Sequence, residues 1–364
     1  MKQKGFLVLE TGECFEGRWH TGDLNGPLAK IDGRAGEVVF NTSHSGYEEI
    51  ATDPSYFSQI LVMTAPMQGN YGVDRKSWES RQMWIDGFVC LEMQDSARDR
   101  SWQNQLLAAG IPILSELDTR RIVLRLRDLG TPWGALVSAQ SEDEARLLSV
   151  KLIQQKKQLE TDWVYLVSRP KPEFYKGQKE NGPRVAILDF GCKENTLREL
   201  QAACSEVAIF PSRTSARSVH DWNPDGIMLT NGPGDPSLVI QSTETVRELL
   251  GWKPIFGICM GHQILSLALG AKTYKLKFGH RGGNHPVRDH LLDEIYMTSQ
   301  NHGYVVDDKS LPSHTRVTHW NLNDQTVEGI ECVEKKCFSV QYHPESHPGP
   351  REGRKLFDFF LNRL

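Results

Sequence analysis

The chain has 364 residues, room for about two domains that each bury a core. It is 39% hydrophobic and 24% charged with a formal net charge of −4, an ordinary globular composition without the basic field that draws nucleic acid. Its apolar runs fall short of a membrane span, and Met1-Lys2-Gln3-Lys4 leads into no secretory apolar stretch, so a cytoplasmic protein is expected.

Short strands are predicted at Phe6–Leu9, Val38–Phe40, Ile60–Thr64 and Phe88–Leu91, where β-branched and aromatic residues cluster between turn formers. Asp118 is placed to cap a helix carrying Ile122, Val123, Leu126 and Leu129 on one face and ended by Gly130-Thr131-Pro132. A second helix is predicted from Glu142 to Lys157, with Lys156 and Lys157 read as a solvated surface. The stretch from Arg169 to Pro183 is polar, rich in Pro and Gly, and without hydrophobic period; it reads as a linker. Residues 1–168 are therefore read as a smaller mixed α/β domain, 169–183 as the linker and 184–364 as a second domain.

In that second domain, strands are predicted at Val185–Asp189, Val207–Phe210, Gly226–Thr230, Ile255–Cys259 and Phe338–Tyr342. Helices are predicted near Asn195–Ala203, from Ile264 to Leu269, and near Glu352–Leu361. Continuous apolar strands alternating with helices predict an α/β fold, a doubly wound and mostly parallel sheet with helices on both faces. Active sites of such sheets lie at the carboxyl ends of the strands.

Three segments at those ends carry chemistry. Gly257-Ile258-Cys259-Met260-Gly261-His262-Gln263 sets a cysteine between two glycines on a strand-to-helix turn, the sharp elbow that presents a nucleophile. At a helix N-terminus the dipole favours the thiolate. Gln341-Tyr342-His343-Pro344-Glu345 supplies a base, His343, and a carboxylate to orient it, Glu345. Asn231-Gly232-Pro233-Gly234-Asp235-Pro236 is a glycine-rich turn. It is placed to aim the Gly232 amide, together with the Met260 amide, at a developing oxyanion.

The seven cysteines are scattered, odd in number and without a CxxC pair, a pattern of reduced thiols with one reactive member. Cys192 follows a strand as Cys259 does but lacks the second glycine, and is read as structural. No metal is expected. His280, His285 and His290 are spaced five apart, which suits neither a helix face nor alternate strand positions, and Pro344 keeps His343 and His347 off a metalloprotease helix. No phosphate-cradling Gly-Lys-Ser/Thr occurs, so no cofactor is assigned to this chain. The residues alone reach a cysteine acyl-transfer enzyme acting on a carboxamide, ester or peptide.

The same three segments resemble the signatures of triad (class I) glutamine amidotransferases. Further segments resemble the small, glutamine-hydrolysing subunits of carbamoyl phosphate synthetases: Gly36–Thr42, Gly46–Ile50, Thr52–Tyr56, Asp118-Thr119-Arg120, Phe278–Val287 and Gln300–Gly303. The resemblance covers nearly the whole chain. It implies hydrolysis of L-glutamine through a Cys259 thioester, with ammonia passed to a large subunit that binds ATP and magnesium and makes carbamoyl phosphate for arginine and pyrimidine synthesis. It implies a heterodimer, or assemblies of heterodimers, with the first domain facing the partner. By position it implies glutamine contacts at Ser55, Gly232, Gly234, Met260, Gln263, Asn301, Gly303 and Tyr304. Met260 stands where leucine is usual and Tyr304 where phenylalanine is common. Two alternatives are weighed against this: a glutaminase subunit of another synthetase, and a catalytically silent scaffold.

Overall fold

The computed structural model describes residues 3–20, 33–94, 96, 101–159 and 161–364. The chain forms two compact units, Met1–Glu160 and Thr161–Leu364.

The first unit contains strands β1 (Lys4–Leu9), β2 (Cys14–His20), β3 (Gly33–Asn41), β4 (Gln59–Met63), β5 (Met67–Gln68), β6 (Gly87–Val89), β7 (Glu92–Met93), β8 (Ile113–Ser115) and β9 (Trp133–Ser138). Seven of them close a barrel in the order β1-β2-β8-β6-β4-β3-β9, and β5 pairs with β7 apart from it. All five residues of β4 are buried, because β4 runs parallel between β3 and β6 in a layer covered on both faces. Asp118 caps the helix Thr119–Leu129, its carboxylate accepting from the Arg121 amide at 2.9 Å. Of the four apolar positions read on one face, that helix buries Ile122 and Leu126; Val123 is half-buried and Leu129 exposed, so its apolar face is narrower than the sequence spacing suggested. The helix Glu142–Lys157 turns Ala145, Ser149 and Ile153 inward, one helical turn apart. Lys156 and Lys157 are not simply solvated: they pair with Asp86 and Glu10.

The second unit holds β10 (Glu173–Lys176), β11 (Arg184–Asp189), β12 (Glu206–Pro211), β13 (Gly226–Leu229), β14 (Ile255–Ile258), β15 (Thr273–Asp289), β16 (Glu294–Val306), β17 (Arg316–Asn321), β18 (Val327–Cys332) and β19 (Cys337–Val340). They make one ten-stranded sheet in the order β10-β12-β11-β13-β14-β19-β18-β17-β15-β16. The five strands from β12 to β19 run parallel. A mostly parallel, doubly wound sheet, as expected from the sequence, does not describe the whole of it: the remaining strands join antiparallel.

Strand periodicity explains the parallel half. Ala186 and Leu188 of β11 pack on one side, with Val246, Ile264 and Leu265 from two helices. Val185 and Ile187 pack on the other, with Leu197, Leu200, Phe357 and Phe360 from two more. Each strand is buried on both faces and so reads as an unbroken apolar run.

The stretch 169–183 is not a free linker. Within it β10 pairs with β12, and Arg169 holds Asp189 at 3.2 Å and Glu194 at 3.1 Å. Val164, upstream of it, is fully buried in the core with Leu188 and Phe210, which is why the second unit begins at Thr161. Among the described residues no helix is long and apolar enough to cross a membrane.

Candidate active site

Strand β14 is buried at every residue and runs straight into Cys259, whose backbone has φ 53° and ψ −103°. That left-handed φ is costly for a side chain bearing Cβ and persists only where surrounding bonds enforce it. Here the Cys259 amide donates to the Val340 carbonyl at 2.9 Å and the Gly261 amide to the Thr230 carbonyl at 2.9 Å. Both flanking glycines are steric requirements. A Cβ on Gly257 would stand 2.8 Å from the Gly261 carbonyl oxygen, and one on Gly261 would stand 2.3 Å from that of Leu229. The turn sets Cys259 at the N-cap of the helix Met260–Leu269.

The neighbouring strand β19 ends at Val340, and the residues after it bring in His343. Its Nδ1 lies 2.8 Å from Glu345 Oε1. Its Nε2 is buried, has no hydrogen-bond partner among the described residues, and lies within electrostatic reach of the Cys259 thiol. Burial pulls the imidazole pKa down, but Glu345 and Cys259 outweigh it and lift it to about 10. A ring that keeps its proton at neutral pH, anchored on one nitrogen and open on the other, can deliver that proton to a leaving group.

Glu345 is itself completely buried. Burial raises its pKa, yet Lys193 first and His343 second bring it down to about 2. Lys193 is 2% exposed; its Nζ lies 3.3 Å from Glu345 Oε1 and also donates to the Ser346 carbonyl. Asn195 Nδ2 donates to the Glu345 carbonyl at 2.5 Å. Sequence reasoning passed over Lys193 and Asn195. The signal was present: both follow β11 at the same carboxyl edge as the glycine turn and the elbow, and a lysine flanked there by Cys192 had to find an anion if buried. Cys192 is buried, and burial pushes its thiol pKa well up.

The Gly232 turn leaves β13, next to β14. A Cβ on Gly232 would stand 2.1 Å from the Phe190 carbonyl oxygen, and Gly234 has φ 91°, so the turn closes only with glycine at both positions. The Gly232 and Met260 amides donate to no group among the described residues. Two uncommitted N–H groups flanking a nucleophile are what an oxyanion requires.

Comparison with known proteins bears on the whole chain. The family described as glutamine amidotransferase class-I matches residues 186–363, and the family described as carbamoyl-phosphate synthase small chain, CPSase domain, matches residues 7–136. The carbamoyl phosphate synthase small chain of Symbiobacterium thermophilum is 48% identical over 338 residues, spanning 90% of this chain and 92% of that one. The small chain of Caldanaerobacter subterraneus subsp. tengcongensis is 42% identical over 364 residues, spanning 99% and 96%. That of Listeria monocytogenes is 41% identical over 368 residues, spanning 99% and 97%. The chain belongs to the carbamoyl-phosphate synthase small-chain family.

In this small chain the expected glutamine contacts fall in four places. Met260 is in the elbow itself, and Gly232 and Gly234 lie in the turn after β13, the strand beside β14. Gln263, one helical turn beyond Cys259, is 2% exposed; its Nε2 donates to the Tyr304 carbonyl at 2.8 Å and to Gln341 Oε1 at 3.0 Å. Asn301, Gly303 and Tyr304 lie on β16, at the far end of the sheet order. The hairpin of β15 and β16 nevertheless reaches the elbow, since Cys259 Sγ lies 3.7 Å from the Asn301 carbonyl oxygen and the His343 amide donates to the Ser299 carbonyl at 2.9 Å. Asn301 Nδ2 is buried without a partner among the described residues. Ser55 belongs to the first unit, where it is buried in the turn Pro54–Tyr56 and its amide donates to Asp53 at 2.8 Å.

The histidines read as unrelated are brought together. Strand β15 shifts register between Gly282 and His285, and this irregularity lets the His280 and His285 rings come to 4.9 Å, as do those of His280 and His302. His280, His302 and Glu328 set their ligand atoms within 4.8 Å of one another. Those atoms are already committed. His280 lies 2.8 Å from Asp324 and 3.4 Å from Glu328. Glu328 accepts from Asn321 at 2.8 Å and Gln300 at 2.9 Å, and His302 faces Tyr304 O and Gln300 Oε1, each at 2.9 Å. Burial pulls the His280 pKa down, but the hydrogen bonds to Asp324 and Glu328 lift it to about 9. His280 thus sits as a buried imidazolium between two carboxylates.

Proposed function

We propose that Cys259, His343 and Glu345 are the machinery with which this small chain hydrolyses L-glutamine to glutamate and ammonia. The observation that carries the reading is the His343 ring, held by Glu345 through Nδ1 and open through Nε2 toward Cys259. The Cys259 sulfur, having given its proton to His343, attacks the side-chain carboxamide carbon of glutamine. The carbonyl π pair moves to oxygen, and the resulting oxyanion is stabilised by the Gly232 and Met260 amides. Collapse breaks the C–N bond, His343 protonates the departing nitrogen, and ammonia leaves a γ-glutamyl thioester. A water deprotonated by His343 then attacks the thioester, and glutamate and the thiol are released. Glu345, kept ionised by Lys193, holds the ring in orientation and stabilises its protonated form.

Gln263, Asn301, Gly303, Tyr304 and Gly234 are proposed to hold the substrate around this centre. Ammonia takes up a proton in bulk water and loses its nucleophilicity. We therefore place its consumption on a separate large subunit, reached by a sheltered path, where ATP, magnesium and bicarbonate yield carbamoyl phosphate for arginine and pyrimidine synthesis. This chain is assigned no cofactor or metal of its own. The first unit is proposed to face the partner, in heterodimers or assemblies of them, in the cytoplasm.

The test uses the small chain in complex with its large subunit. Cys259→Ala is expected to abolish carbamoyl phosphate synthesis from glutamine and to leave synthesis from added ammonia. Peptide mapping after treatment with a glutamine-like chloroketone is expected to find the adduct on Cys259. Normal glutamine use by Cys259→Ala would overturn the reading.

A further inference from the structure

Gln341 lies outside every role given above, yet it is completely buried beside Gln263 of the elbow helix. Its backbone is fixed by the amide donating to the Glu328 carbonyl at 2.8 Å. Its side-chain Oε1 accepts from Gln263 Nε2 at 3.0 Å, while its own Nε2 is buried with no partner among the described residues. An amide retained only for core stability satisfies both of its ends. In Gln341 the end that faces Gln263 is satisfied and the other has no partner among the described residues.

The consequence lies in how Gln263 points. The two ends of a glutamine amide are nearly the same shape, and hydrogen bonding alone decides which is which. The Tyr304 carbonyl, 2.8 Å from Gln263 Nε2, can only accept, and Gln341 Oε1 takes the second N–H. Rotating the Gln263 amide would set its oxygen against both acceptors. Rotating Gln341 would set its NH2 against the NH2 of Gln263. With both N–H groups consumed, Gln263 Oε1 remains as an acceptor that makes no hydrogen bond to any described residue. It sits one helical turn from Cys259, on the same side of the helix.

We propose that Gln341 is a positioning residue that acts through Gln263. It locks the Gln263 carboxamide with nitrogen inward and oxygen toward the substrate, so that the site reads an N–H donor of glutamine and repels an acceptor placed there. The effect belongs to substrate binding, since neither amide touches the thiol or the imidazole. This proposal rests on the glutaminase reading above.

The experiment compares steady-state glutamine hydrolysis by the complex carrying parental small chain, Gln341→Met, Gln341→Glu, Gln263→Ala, and Gln263→Ala combined with Gln341→Met. Methionine keeps the length of the side chain without an acceptor; glutamate keeps an acceptor oxygen. Gln341→Met is expected to raise KM for glutamine roughly tenfold with kcat within about threefold, the pattern of lost binding that ground and transition states share. Gln341→Glu is expected to bring KM back to within about threefold of the parent. The double variant is expected to be no worse than Gln263→Ala alone, because a residue acting through another adds nothing once that other is gone. Far-UV circular dichroism and thermal melting of each variant establish that the comparison is among folded chains. An unchanged KM in Gln341→Met, a fall in kcat at constant KM, or full additivity in the double variant overturns the proposal while leaving the glutaminase reading intact. A parental complex without glutamine hydrolysis overturns both.

Discussion

His343 and His280 are both buried beside carboxylates in the second unit, yet His343 alone of the two is poised to react. His343 lies 2.8 Å from Glu345 and His280 lies 2.8 Å from Asp324. Both imidazoles are lifted above the usual range, to about 10 and about 9, against the pull of burial. The difference is in the second nitrogen. His280 spends it on Glu328, so its charge is neutralised from two sides and its proton has nowhere to go. His343 keeps Nε2 open toward a cysteine held in a strained turn. A raised pKa marks a paired imidazole; an uncommitted nitrogen facing a nucleophile marks a reactive one.

This contrast breaks most decisively at His343. His343→Asn is expected to lower kcat for glutamine hydrolysis by roughly 10⁴-fold or more, because the thiol then has neither a proton acceptor nor a donor for the leaving nitrogen. Steady-state rates of the complex check it. Glu345→Gln is expected to cost less, between roughly 10²- and 10⁴-fold in kcat, since the ring stays in place while its orientation and protonated form lose support. It is also expected to lower the pKa of His343, read from the imidazole proton resonances across pH. A Glu345→Gln variant within a few fold of the parent would remove the carboxylate from the machinery.

His280→Gln is expected to change kcat by less than about threefold while destabilising the fold by about 3 kcal/mol near pH 6.5, because Glu328 is left as a buried charge without its cation. The folded pKa of about 9 lies above the ordinary value of 6.5. The contribution of His280 is therefore fully present below pH 6.5 and is lost as pH rises through about 9. The stability gap between parent and variant, measured by urea unfolding, is expected to close over that window. His343 shifts the same way in both chains and cancels from the difference.

Much of this was open to a reader of the residues. The strands of the parallel half announced themselves because burial on both faces demands unbroken apolar runs, as at Val185–Leu188 and Ile255–Ile258. The helix Thr119–Leu129 was marked by Asp118 at its N-cap, and the helix Glu142–Lys157 was read at the bounds the structure gives it. The antiparallel half stayed hidden. The longest strand among the described residues, β15, mixes exposed, half-buried and buried residues irregularly, carries two register shifts and passes through Gly282-Gly283-Asn284, so neither strand period nor helix period shows. The barrel of the first unit was equally unreadable, because closure between β1 and β9 joins segments far apart along the chain.

Residue order alone determined the elbow. Its two glycines, its cysteine and its place between an apolar strand and a helix are local facts, and hard-sphere sterics leaves such a stretch one geometry. The pairing His343-Pro344-Glu345 is local in the same way. Distance along the chain is what only the folded molecule resolves. It set Lys193 against Glu345, Gln341 against Gln263, and the carbonyl of Asn301 beside a sulfur 42 residues away. Electrostatics acts through space in a medium of low polarity, so the groups that tune a buried pair are those the sheet order brings near, and no periodicity along the backbone records them.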